Sequence, residues 1–109
     1  MTHMKRITAL VTLLACFCLG TEAKLKPSSP CSSGMVLQQQ SSARIWGSSN
    51  AGSQINVTTS WNGKTYRSKA ASDGNWEVMV ETPAGSYKTY TVTIKGDGET
   101  HVIKDVLIG

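Results

Sequence analysis

Residues 54–81 read QINVTTSWNGKTYRSKAASDGNWEVMVE. Ile55, Val57, Thr59 and Trp61 alternate with polar neighbours, and Trp76, Val78 and Val80 do the same further on. A two-residue period places one face of a strand on a core and the other in water. Asn62-Gly63 between the first two runs is the dipeptide of a type I′ hairpin turn, which needs positive φ at both central residues. Asp73-Gly74 repeats the device ahead of NWEVMVE.

The same pattern extends in both directions. Tyr90, Val92 and Ile94 alternate, and Pro83-Ala84-Gly85 and Gly96-Asp97-Gly98 punctuate the connections. Strands are predicted near 35–38, 43–47, 54–61, 64–71, 75–81, 87–95, 99–103 and 105–108. No stretch after residue 23 carries a helical period. Short strands separated by turn signals predict an all-β fold, an immunoglobulin-like sandwich of seven or eight antiparallel strands within 35–109. The expected core is Val36, Ile45, Ile55, Val57, Trp76, Val78, Val92, Ile94, Val102 and Leu107. Residues 24–34, KLKPSSPCSSG, read as an irregular lead-in, and Ser48–Gly52 as a surface loop.

The N-terminus has a different character. Lys5 and Arg6 precede the uncharged run ITALVTLLACFCLG, residues 7–20, and Thr21-Glu22-Ala23 supplies a small-x-small cleavage site. This is the pattern of a secretory signal over 1–23, cut between Ala23 and Lys24. Fourteen residues make a helix about 21 Å long, too short for a bilayer core of roughly 30 Å. The expected location is a bacterial periplasm or outside the cell. A rival is a lipoprotein, since Leu13-Leu14-Ala15-Cys16 loosely resembles a lipobox ending at Cys16. No membrane span is expected once the signal is removed.

With 109 residues, 39% hydrophobic and 17% charged, the chain has room for one domain. Within these 109 residues there is no room for a multidomain enzyme or a polytopic membrane protein, and the composition is too apolar for a disordered tail. Removing residues 1–23 leaves nine basic and six acidic side chains, scattered singly, so no nucleic-acid partner is expected. Cys31 is then the one remaining thiol and His101 the one remaining imidazole, which make neither a disulfide nor a zinc site. No cofactor, metal ligand or catalytic residue is assigned. Asp105 is the acid nearest His101 in sequence, and no GxSxG, phosphate loop or HExxH occurs. If Val102 packs inward, His101 faces solvent, and the chain alone should hydrolyse nothing. Asn56-Val57-Thr58 matches a glycosylation sequon that matters only in a glycosylating host. Among the aromatics, Trp61 and Trp76 are in phase with aliphatic core positions. Tyr66 and Tyr87 are the expected exposed pair, and the candidate glycan contacts.

Gly34-Met35-Val36-Leu37-Gln38-Gln39, followed by Ile45-Trp46-Gly47, resembles the opening of the sialate O-acetylesterase family. The similarity continues through Ala51-Gly52, Asp73-Gly74-Asn75-Trp76 and Lys104-Asp105-Val106-Leu107-Ile108-Gly109, in family order across nearly all of 24–109. Pro27-Ser28-Ser29-Pro30-Cys31 departs from it, standing where the family has an aliphatic residue and a Phe. The resemblance implies a non-catalytic N-terminal β-domain. In the family, Asp-Val-Leu-Ile-Gly runs on into a Gly-Gln-Ser-Asn-Met block with the nucleophilic serine of an SGNH-type hydrolase domain. The sequence stops at Gly109, so no catalytic residue is carried over and the expected partner is that hydrolase domain in the same chain. The family reaction is removal of O-acetyl groups from sialic acids or other glycans. The alternative is a free-standing secreted module that binds glycans, acetylated ones included.

Overall fold

The computed structural model describes residues 24–109. Eight strands form two sheets, a β-sandwich. They are β1 (Lys26–Pro27), β2 (Val36–Leu37), β3 (Ser42–Ser48), β4 (Gln54–Thr59), β5 (Thr65–Lys69), β6 (Asn75–Glu81), β7 (Ser86–Gly96) and β8 (Glu99–Ile108). One sheet has the order β1-β3-β6 and the other β2-β8-β7-β4-β5. The described residues contain no helix long and apolar enough to cross a membrane.

Alternation builds the core. Trp76, Val78 and Val80 of β6 point inward with Ile45 of β3, against Ile55, Val57, Val92 and Ile94 from the other sheet. Each of the aliphatic residues, fully buried, contributes about 1.5–3 kcal/mol relative to exposure. Leu25, within the segment expected to be irregular, is completely buried. It precedes β1, a two-residue strand in which Lys26 faces Ser48 and Pro27 faces Gly47. Proline fits there because β1 is an edge strand. A Cβ on Gly47 would overlap the Lys26 carbonyl oxygen and lie 2.8 Å from Pro27 Cα. Only glycine lets β1 approach so closely.

Three expectations need correction. The pairing is not wholly antiparallel: β2 runs parallel to β8, with Val36 opposite Leu107. Val36 is 64% exposed at that sheet edge. The runs 99–103 and 105–108 form one strand interrupted by a bulge, because Val92 faces Ile103 while Tyr90 faces Val106. Two residues of β7 therefore span three of β8, and Asp105 takes up the excess at φ 56°. The bulge reverses the phase, so Ile103, Val106 and Ile108 are buried, Val102 is exposed and Leu107 is half-buried.

The turns also exchange roles. Asn62 lacks positive φ, and β4–β5 is joined by a wider loop in which Gly63 alone is left-handed. Asn62 accepts hydrogen bonds from Thr59 Oγ1 and the Lys64 N–H instead. The two-residue turn with both positions at positive φ is Asp97-Gly98, at 51° and 73° between paired Gly96 and Glu99.

Candidate functional site

The outer face of the three-stranded sheet carries the most varied chemistry. Counting by two from buried Ile45 puts Arg44, Trp46 and Ser48 on the outside of β3, and Asn75, Glu77 and Met79 outside on β6. Register sets Trp46 opposite Glu77 and Ser48 opposite Asn75. The Arg44 guanidinium carbon sits 4.4 Å from the Trp46 ring centroid, and Nε donates to Glu77 Oε2 at 2.6 Å. Both ends of that ion pair are about half exposed, at 52% and 57%. It is worth about 0–1 kcal/mol, and its effect is to hold the guanidinium in place. Beside it lies an open groove of about 590 Å³, bordered by Lys26, Ser28, Ser29, Trp46, Ser48 and Asn75. Trp46 is half-buried and itself packs against the core cluster. What it leaves exposed, among hydroxyl, amide and ammonium groups, suits a polyhydroxylated ligand with an apolar C–H face. The sequence did signal this face, since Trp46 is out of phase with Ile45.

Tyr66 and Tyr87 do not meet. Tyr87 is fully exposed, in the irregular stretch of β7 between the Ser86–Ile108 and Tyr90–Val106 pairs. Tyr66 is half-buried against the core, and its hydroxyl accepts the Glu81 N–H at 3.1 Å. Trp61 also lies against the core, donates Nε1–H to the Glu81 carbonyl at 2.7 Å, and meets Tyr90 edge-on at 5.7 Å. Tyr66 and Tyr87 also belong to strands separated by β4 in the sheet. They are not one exposed pair.

His101 shares the inward phase of Ile103 rather than facing open solvent. Its side chain is 37% exposed, and Nε2 lies 3.5 Å from Glu99 Oε1. The other Glu99 oxygen accepts the Lys24 main-chain N–H at 2.8 Å. That bond, reinforced by His101, holds the Glu99 carboxyl below its ordinary range, against a smaller opposing effect of burial. Among the described residues no serine hydroxyl hydrogen-bonds His101. Asp97, on the turn before β8, accepts hydrogen bonds from Ser49 Oγ, from Ser53 Oγ at 2.6 Å and from the Asn50 N–H at 3.0 Å. These donors depress its carboxyl too. Asp97 thus ties the β3–β4 loop to the β7–β8 turn, beyond the local capping that Gly-turn aspartates usually supply. Cys31 is buried, and burial pushes its thiol up. Among the described residues no three His, Cys, Asp or Glu converge as a metal site. Ala23 and Cys16 lie outside the described residues.

No protein-family model and no curated protein matches the chain. Among solved structures it is similar to a carbohydrate acetylesterase from Xanthomonas citri, with 29% identity and a TM-score of 0.71. The overlap covers 78% of this chain and 19% of that one, so the chain spans about a fifth of the esterase's length. A protease structure overlaps 74% of this chain and 17% of its own, at 21% identity and a TM-score of 0.43, too low to inform function.

Proposed function

We propose that residues 24–109 are the non-catalytic N-terminal β-sandwich of an exported carbohydrate esterase. The observation that carries this reading is the overlap of 78% of the chain with a minor share of a carbohydrate acetylesterase. The ordered motifs from Gly34-Met35-Val36-Leu37 to Asp105-Val106-Leu107-Ile108 support the finer assignment, a sialate O-acetylesterase. The chemistry would be acyl transfer by a serine of an SGNH-type domain in the same polypeptide, with an oxyanion hole for the tetrahedral intermediate. The sandwich would contribute a rigid flank to that domain. The signal-like pattern of residues 1–23 supports a product of the periplasm or the cell exterior. Reading the gene beyond the Gly109 codon tests the proposal. A Gly-Gln-Ser-Asn-like block, in the same or a shifted frame, is the expected result. Its absence sinks the esterase reading. Acetate release by the complete gene product from O-acetylated sialic acid, compared with acetylated xylan, then decides the substrate.

The Arg44–Trp46 face favours a second reading, a secreted module that binds glycans without an esterase partner. Retention on immobilised glycans that is lost on Trp46→Ala or Tyr87→Ala, with folding unchanged, would support it.

A further inference from the structure

The sequence motif and the described structure meet at Lys24. Lys24 follows the small-x-small site, and its nitrogen is already held by a carboxylate, with Glu99 Oε2 at 2.8 Å. The next residue, Leu25, is completely buried, and Lys26 then enters the ladder opposite Ser48. The chain is therefore fixed from its first described residue onward. Hydrolysis of the Ala23–Lys24 amide consumes one water, leaves a carboxylate on Ala23 and an amine on Lys24. That amine takes up a proton at neutral pH, since an α-amino group ordinarily titrates near 7.7–8.0. An amide N–H offers one donor and no charge, whereas the ammonium brings three donors and a full charge to the same carboxylate.

We infer that Glu99 is a built site for the α-ammonium that processing creates at Lys24, with Leu25 as its apolar anchor. This rests on the reading of residues 1–23 as a removable signal. The titratable groups bearing on the turn are Glu99, Asp97, His101 and the Lys24 side chain. Two carboxylates there favour a cation. Asp97 is committed to Ser49, Asn50 and Ser53, which leaves Glu99 as the direct partner. Processing converts an amide–carboxylate hydrogen bond into an ion pair just ahead of β1.

The test uses the exported, processed protein. N-terminal sequencing first settles the cut. If the protein starts elsewhere, the Ala23–Lys24 cut fails, and a specific protease site placed directly before Lys24 releases the same amine for the remaining measurements. The α-amine is then labelled with an N-hydroxysuccinimide acetate at pH 7 and read in the N-terminal peptide by mass spectrometry. Pairing with Glu99 keeps the amine protonated, so labelling should be several-fold slower than in Glu99→Gln. Equal rates in two folded proteins overturn the inference. A carboxyl titration by NMR needs no substitution. The Glu99 carboxyl should titrate lower with a free Lys24 amine than with an acetylated one, and identical titrations overturn the proposal as well.

Discussion

The Tyr66 hydroxyl, on β5 of one sheet, accepts the main-chain N–H of Glu81, on β6 of the other, at 3.1 Å. Trp61 Nε1 reaches the carbonyl of the same residue, and Lys64 Nζ its carboxylate at 3.0 Å. Glu81 is thus a node where three side chains of one sheet or its loop grip the margin of the other. Tyr66→Phe keeps the ring and unpairs the Glu81 N–H, and should cost about 0.5–1.5 kcal/mol. Thermal unfolding reads this directly. A Tyr66→Phe protein as stable as the parent would show that the bond carries no weight. Any loss of glycan retention in Tyr66→Ala must be compared with the Phe variant, because truncating the ring also loosens the sandwich.

Gly47→Ala should be disproportionately harmful for one methyl group. Its Cβ would overlap the Lys26 carbonyl and come within 3.0 Å of Trp76 Cζ2. Backbone cannot give way as a side-chain tip can, so a loss of about 1–3 kcal/mol is expected, with β1 displaced. Denaturant unfolding measures the loss, and hydrogen exchange at Ser28, whose N–H bonds the Trp46 carbonyl at 2.9 Å, reports the displacement.

Asp105 separates backbone from side-chain effects. Its φ of 56° suits glycine and is poor for a β-branched residue. Asp105→Val should lose about 1–2 kcal/mol, and Asp105→Gly should be neutral or slightly stabilising. If both variants unfold at the parent's midpoint, the bulge is not where the strand is constrained.

Asp97 gives the fold an acid sensitivity. Its folded-state pKa is lowered, first by Ser49, then by Ser53 and Asn50. The stabilisation is therefore complete above the ordinary carboxylate pKa, about 3.9, and disappears as pH falls through the lower folded value. Glu99 acts in the same direction. Asp97→Asn keeps a residue type that tolerates the turn's φ of 51° but removes the charge. The drop in melting temperature between pH 7 and pH 3 should shrink in this variant without vanishing. An unchanged drop would acquit Asp97.

The strands β3 to β6, and the second half of β7, were legible because their alternation is uninterrupted, and Ile45, Ile55, Val57, Trp76, Val78, Val92 and Ile94 are buried as their phase required. Phase was misread where a residue is inserted. HVIKDVLIG offers Val102 and Ile103 as equal candidates, and only the bulge at Asp105 shows that Ile103 faces inward. Leu25 was missed because a two-residue strand has no period to detect. Tyr66 misled because its partner is a main-chain group on another sheet, which no spacing along the chain encodes. Of the outer face, Trp46 was readable by counting, whereas its Arg44 cover and Glu77 brace depend on cross-strand register.

The parallel pairing of β2 with β8 sets a schedule for folding. Gly34, Met35 and Leu37 bond to a distant stretch of the chain: the Gly34 N–H goes to the Lys104 carbonyl, Met35 accepts from Leu107, and Leu37 accepts from Gly109. β8 also lies between β2 and β7, so the larger sheet is open until these last residues are available. Contacts this distant in sequence make closure slow. A chain synthesised N-terminus first therefore has this sheet incomplete until Ile108 has emerged. β8 is thus the latch that closes the larger sheet.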